Sequence, residues 1–206
     1  MQNFQIMMPS EYKSMPWKNG LGKTLEMQRS DDQYGLRYRI SQASVVQNGL
    51  FSDFTGLQRT LVLLSGDGMT LVHQNLNRSQ NMHTLLDIAQ FSGADKTSAK
   101  LISGSIEDLN IMVRESDTRA NISIIDVAQM LSFSDSQKLL FTAFYAHVPC
   151  CINFNANTTD QQPYHLAAGS LLYCRDGQDL KEESILIKSD SLLLSGKGVM
   201  IEIFSK

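Results

Sequence analysis

Short apolar or alternating segments recur roughly every ten residues along the chain, separated by clusters of Gly, Asp, Asn and Ser, and that rhythm leaves little room for anything but an all-β fold. Side chains in a strand alternate between two faces, so each segment offers one face to a core and the other to solvent or a second layer. Strands are predicted over Phe4–Met8, Thr24–Arg29, Leu36–Val46, Thr60–Leu64, Met69–His73, Leu109–Arg114, Asn121–Val127, Lys138–Ala146, Cys150–Phe154, Ser170–Cys174, Ser184–Ile187 and Val199–Phe204. Only Val127–Phe133 carries a weak helical signal.

One sequence echo sharpens the fold class. Leu63-Leu64-Ser65-Gly66-Asp67-Gly68-Met69 returns as Leu193-Leu194-Ser195-Gly196-Lys197-Gly198-Val199, in both places between apolar strands. Read as one tight hairpin used twice, it implies a duplicated barrel; the competing reading is a coincidental turn sequence, since Gly-x-Gly is common between strands. Two halves, approximately 1–118 and 119–206, then fit the double-stranded β-helix (jelly-roll) barrels called cupins, in a bicupin arrangement within a single unit.

The chain of 206 residues is long enough to bury a sizeable core without disulfide staples. Its 18 basic residues are scattered among 21 acidic ones, which argues against a nucleic-acid partner. The N-terminal segment lacks a basic region followed by a long apolar run, and Leu61-Val62-Leu63-Leu64 is typical of the short apolar stretches elsewhere, so no membrane partner is expected. Three cysteines without a framework spacing fit a reducing compartment, and the expectation is a cytoplasmic protein.

Gly20-Leu21-Gly22-Lys23-Thr24 ends like a phosphate-binding P-loop, but Trp17 stands where the first glycine belongs. A strand pattern, not a helix, follows it. Nucleotide binding is therefore set aside.

Polar side chains gather in three places. On the strand ending at Arg114, Asp108, Asn110, Met112 and Arg114 share one face, and an Arg fork beside an Asn amide suits a carboxylate. In Leu36–Val46, Arg39, Ser41, Ala43 and Val45 share a face where small residues leave space beside the cation. Trp17-Lys18-Asn19-Gly20 offers an indole wall, an ammonium and an amide on a glycine-relieved loop. In each case the competing reading is ordinary structure: polar strand faces in water, and a buried Trp plugging a core. Arg59 either caps a barrel rim or faces solvent.

No cofactor or metal is expected. His73, His83, His147 and His165 include no His-x-His pair of the kind that lets two strand side chains reach one ion. No Gly-x-Ser-x-Gly elbow is present, and sequence alone pairs no histidine with Cys150, Cys151 or Cys174.

The chain resembles the HutD/Ves family of bacterial bicupins, of the RmlC-like cupin kind. The matching residues are Pro16-Trp17-Lys18-Asn19-Gly20-x-Gly22-x-Thr24-x-Glu26, Tyr38-Arg39-x-Ser41-x-Ala43, Asn48-Gly49-x-Phe51-Ser52-x-Phe54-x-Gly56-x-x-Arg59, Leu63-Leu64-x-Gly66, Phe91-x-x-x-Asp95, and Gly104-x-x-x-Asp108-x-Asn110-x-Met112-x-Arg114. The resemblance is specific through the first 115 residues or so, and beyond them it rests on strand rhythm and the repeated corner. It implies a pocket in the N-terminal half without a metal motif. Thr24 would join Trp17, Lys18, Asn19, Arg39, Ser41, Asn110 and Arg114 as ligand contacts. It further implies a small anionic metabolite as partner, such as a formylated glutamate or urocanate, and a sensing or regulatory role linked to histidine utilisation or to stress.

Two other classes stay open beside that reading. One is a metal-free isomerase or hydrolase acting on a small carboxylic acid, with Glu26 or Asp108 as general base. The other is an interaction protein that uses the barrel surface as a homodimer, drawing on an adaptable methionine patch.

Overall fold

The computed structural model describes residues 2–17, 22–132, 138–154, 163–175, 187–189 and 191–206. Contacts divide the chain into two compact units. Tyr12–Arg119 form one, and Met1–Glu11 with Ala120–Lys206 form the other. Against the expected halves of 1–118 and 119–206, the first eleven residues therefore belong with the second unit. The reason is pairing: β1 (Gln2–Met7) is hydrogen-bonded to β17 (Leu171–Arg175) and β18 (Ile187–Ser189).

The 12–119 unit holds two antiparallel sheets. One has six strands in the order β2 (Lys13–Pro16), β3 (Lys23–Asp32), β4 (Gly35–Val45), β11 (Ile106–Arg114), β6 (Leu57–Ser65) and β9 (Ile88–Ser92). The other has four, in the order β5 (Gly49–Leu50), β10 (Thr97–Leu101), β7 (Met69–His73) and β8 (Arg78–Met82). Alternation sends Leu61 and Leu63 of β6, Met69 and Leu71 of β7, Ala99 of β10 and Ile106 of β11 into a shared core with Met82 and Phe91. Each such fully buried Leu, Met or Phe contributes about 1.5–3 kcal/mol relative to exposure.

The second unit repeats this plan. Its six-stranded sheet runs β12 (Thr118–Ile125), β20 (Gly198–Ser205), β14 (Leu139–Ala146), β17, β1 and β18. Its four-stranded sheet runs β13 (Gln129–Ser132), β19 (Ser191–Ser195), β15 (Cys150–Phe154) and β16 (Tyr164–Leu166). Taken in chain order, β4-β11-β6-β9 over β5-β10-β7-β8 correspond strand for strand to β12-β20-β14-β17 over β13-β19-β15-β16. Each unit is thus an eight-stranded jelly roll with two extra edge strands.

The repeated Ser-Gly-x-Gly segment is not the mark of that duplication. The first copy carries the chain from β6 to β7 and the second from β19 to β20, which are not corresponding connections. Neither is a hairpin, since each passes from one sheet to the other. What they share is a local demand for glycine: Gly66 and Gly68 have φ of 88° and 98°. A Cβ on Gly68 would lie 2.2 Å from the Met82 carbonyl oxygen, and one on Gly196 would lie 2.3 Å from Cys150 Sγ. Tight inter-sheet corners select the same residues wherever they occur.

The helical signal over 127–133 is overruled: Gln129–Ser132 pair with β19 in the register Met130↔Leu193, while Phe133 lies outside the described residues. Of the strand expected at Ser184–Ile187, only Ile187 is described, and it opens β18. Among the described residues, the one helical element is a single 3-10 turn, Pro9–Glu11, and no helix is long and apolar enough to cross a membrane.

Candidate functional site

The 12–119 barrel holds a partly open cavity of about 520 Å³, within the size range of small-molecule sites. Four neighbouring strands build its polar wall, and their registers arrange the side chains in rows. Arg39, Met112 and Arg59 lie side by side across β4, β11 and β6. The next row is Glu26, Ser41, Asn110 and Leu61, and the third is Thr24, Ala43, Asp108 and Leu63. The segment after β5 supplies Phe51 and Phe54.

Arg59 is the least ordinary of these residues. It is 6% exposed, and its guanidinium carbon lies 5.0, 5.3 and 5.1 Å from the ring centroids of Phe51, Phe54 and Phe91. Ring faces favour a cation, yet they offer no hydrogen-bond acceptor, and Nε of Arg59 is buried without one. Among the described residues no carboxylate reaches it in an ion pair. Burial, together with the nearby Arg39 cation and against the pull of Asp108, draws its pKa down to about 10, so it remains charged at neutral pH.

Asp108 is the complementary oddity. Its side chain is 2% exposed, Oδ1 has no hydrogen-bond partner, and burial pushes the carboxyl up to about 7, opposed by Arg59 and aided by Glu107. Ser41 Oγ and Asn110 Oδ1, in the row between, are buried without partners too. Arg39 is different, because its Nε lies 2.7 Å from Glu26 Oε2, a charge contact not aligned as a hydrogen bond. Its charge is already answered. The cavity therefore carries a desolvated cation at one end, an amide and a hydroxyl in the middle, and a desolvated carboxyl at the other.

Trp17 lines the cavity as an indole wall whose Nε1 donates to Thr24 Oγ1 at 2.9 Å. Gly22 permits that position, since a Cβ there would meet the Trp17 ring at 2.9 Å and the Ser44 carbonyl oxygen at 2.5 Å. The structure thus brings together Trp17, Thr24, Arg39, Ser41 and Asn110. Lys18 and Asn19 lie outside the described residues.

Arg114 does not join them. Its guanidinium forks onto Asp32, with Nη2 2.5 Å from Oδ2 and Nη1 2.8 Å from Oδ1, and onto Asp117, with Nη2 2.7 Å from Oδ2. Both carboxylates raise the Arg114 pKa, and Arg114 holds Asp32 down at about 2. The expected carboxylate ligand is supplied by the chain itself. Alternation identified the face of β11 but not the point at which that face leaves the cavity.

Arg59, Phe51 and Phe54 are the contacts that strand reading missed. A signal was available for Arg59, which stands two and four residues before the inward Leu61 and Leu63 and so shares their face.

Among the described residues, no group of three or more His, Cys, Asp or Glu is placed to hold a metal ion. His73 is a satisfied core histidine: Nδ1 meets Thr97 Oγ1 at 2.8 Å and Nε2 meets Gln80 Nε2 at 2.9 Å, and burial lowers its pKa. Outside the cavity, Cys151 Sγ lies 3.3 Å from Nδ1 of the exposed His165, its register partner across β15 and β16 and a pairing that sequence did not supply.

Among the described residues, the interior of the second barrel is packed with side chains. Phe4, Phe144, Ile152, Phe154, Leu172, Leu194 and Met200 pack its interior, leaving a void of about 10 Å³. Counted from the strand ends, the paired Phe144 and Met200 stand where Leu63 and Asp108 stand in the first barrel.

Two jelly rolls of one topology in a single chain define a bicupin. The chain belongs to the HutD family, whose model, described as HutD, matches residues 9–197. It is 37% identical over 147 residues to an uncharacterised 21.2 kDa protein in the hutC 3' region of Pseudomonas putida, covering 69% of this chain and 75% of that one. It is 31% identical over 122 residues to protein Ves of Cronobacter sakazakii, covering 56% and 65%. In three dimensions it is similar to HutD from Pseudomonas fluorescens SBW25, with a TM-score of 0.77, 22% identity, and coverage of 98% of this chain and 99% of that one. At that identity the likeness speaks to the fold.

Proposed function

We propose that the first barrel binds a small carboxylate metabolite and that the protein acts as a metabolite sensor or regulator. The observation that carries the reading is Arg59. A buried cation with no contact anion, whose Nε has no acceptor in the chain, is incompletely compensated, and a carboxylate at its guanidinium supplies what is missing. The aromatic wall suits the apolar body of such a ligand, and Ser41 and Asn110 orient it.

A formylated glutamate and urocanate are the favoured candidates, in a role tied to histidine utilisation. Supporting that link are the naming of the Pseudomonas putida relative by its position beside hutC and the naming of the structural neighbour as HutD. The thiol state of Cys150, Cys151 and Cys174 supports a cytoplasmic setting. The test is calorimetric titration with formylglutamate and urocanate, alongside Arg59→Met. Saturable heat lost in the variant supports the proposal, and no heat with either compound overturns the assignment of these ligands.

A second reading is favoured by one observation. A carboxyl pushed up to about 7 inside a ligand-sized cavity is matched to proton transfer near neutral pH, which makes Asp108 a candidate general base in a metal-free isomerase or hydrolase. An NMR time course with the same acids decides it: turnover that disappears in Asp108→Asn supports an enzyme, and unchanged spectra retire the idea.

A further inference from the structure

The rows of the cavity specify more than an anion site. Asp108 and Asn110 lie two residues apart on the same face of β11, and each has a buried side-chain oxygen without a partner. Buried acceptors left unmade are costly, and among the described residues no donor reaches Asp108. For Asn110, amide oxygen and nitrogen can exchange places by a flip, but both atoms of a carboxylate are acceptors when ionised. Asp108 therefore asks for a donor. Arg59 does not supply it: its backbone is in register with Met112, four residues along the strand from Asp108, and Asp108 Oδ1 has no hydrogen-bond partner.

Resting on the carboxylate-binding reading above, we propose that the ligand is dipolar: its carboxylate meets Arg59, and an N–H donor at its other end, ammonium or amide, is received by Asp108. Asp108 is then the residue that sets specificity, turning away molecules that present a carboxylate rather than an N–H at that end. Two features of the cavity fit this polarity. The Arg59 end is walled by the rings of Phe51 and Phe54, with Phe91 of the core against the same guanidinium, whereas the Asp108 row presents Ala43 and Thr24, whose hydroxyl already accepts from Trp17. Second, Glu26 is occupied by Arg39, so Asp108 is the acidic group left open in the cavity among the described residues. Burial that pushes its carboxyl up to about 7 is the expected state of such a group while no donor holds the anion.

The experiment compares ligands that share one five-carbon acid and differ at the far end: pentanoate, glutarate, 5-aminopentanoate and 5-acetamidopentanoate. Each is titrated into the wild-type chain and into Asp108→Asn. The proposal expects at least one of the two nitrogen compounds to bind about tenfold or more tighter than pentanoate and glutarate, with the advantage reduced or lost in Asp108→Asn. A preference for the amine identifies an ammonium donor, and parity of amine and amide identifies a neutral N–H. Glutarate or pentanoate binding as tightly as both nitrogen compounds overturns the donor inference while leaving the carboxylate site standing. An advantage that survives in Asp108→Asn overturns the role of Asp108. No binding by any of the four overturns the carboxylate reading itself, and the wild-type series decides the ligand class even where the variant fails to fold.

Discussion

Arg59 and Asp108 enter one cavity from adjacent antiparallel strands yet stand two same-face rows apart, with Leu61 and Asn110 between them. The spacing keeps a cation and a carboxyl from collapsing into a contact pair. Each stays desolvated and available, a state that disfavours folding and favours a ligand.

Arg59→Met tests that balance. The substitution keeps an apolar stem among Phe51, Phe54 and Phe91 and removes the buried charge, whose depressed pKa shows that the fold disfavours it. Melting temperature should rise, by about 2–4 °C for each kcal/mol recovered in a chain of this size, while calorimetric affinity for carboxylates is lost. A variant that melts lower than wild type and still binds contradicts both halves.

Asp108 predicts a pH profile for stability. Its folded pKa of about 7 lies above the unfolded value of about 4, so between those values the folded state retains a proton that the unfolded state has released. The contribution is full below about pH 4, declines on the order of 1.4 kcal/mol per pH unit up to about 7, and is level above that. Asp108→Asn should remove this decline and leave the variant more stable than wild type at pH 8. Urea unfolding of both proteins at pH 4, 6 and 8 measures it, and parallel profiles would dispose of the claim.

How far the sequence led is visible at these same residues. Alternation placed Arg39, Ser41, Ala43 and Val45 on the face that lines the cavity, and it did so because a strand has only two faces. It placed Arg114 on the same face as Asn110 correctly in local terms. The partners that claim Arg114 include Asp32, 82 residues away, and no local pattern reports so distant a contact. Polar edge strands such as β8, Arg-Ser-Gln-Asn-Met, escaped notice because pairing at a sheet edge needs little apolar character. The two-barrel architecture was reached through an echo that turned out to mark non-corresponding corners, so fold class was legible while its apparent evidence was coincidental in register.

Arg114→Ala should separate structure from binding. The guanidinium holds Asp32, at the end of β3, to Asp117 in the turn after β11, and Arg114 is not among the residues that line the cavity. Melting temperature should fall by several degrees, with carboxylate affinity within about twofold of wild type. Loss of binding in a variant whose melting temperature is unchanged would return Arg114 to the ligand site.

Trp17 provides an optical readout, since it is the single tryptophan of the chain and lines the cavity. Ligand binding should shift its emission, and Thr24→Val, which removes the acceptor of its N–H, should shift the emission of the unliganded protein. Gly22→Ala forces a methyl group against the Ser44 carbonyl and the indole, so it should cost about 1–3 kcal/mol and blunt the ligand response. An emission spectrum indifferent to ligand at saturation would place Trp17 away from the bound molecule.

The packing of the described residues of the second barrel predicts stoichiometry. Phe144 and Met200 occupy the positions that Leu63 and Asp108 hold in the hollow one, and they bring no charge with them. Carboxylates should therefore saturate at one per chain, and Arg59→Met should reduce that to none. Phe144→Ala opens space in the second barrel at a cost of about 3–5 kcal/mol in urea unfolding, yet it creates no new site, because the lining of that space, Thr142 apart, is apolar and brings no cation to replace an anion's water. A second equivalent of carboxylate bound by wild type or by Phe144→Ala would show that desolvated charge is not what distinguishes the two barrels.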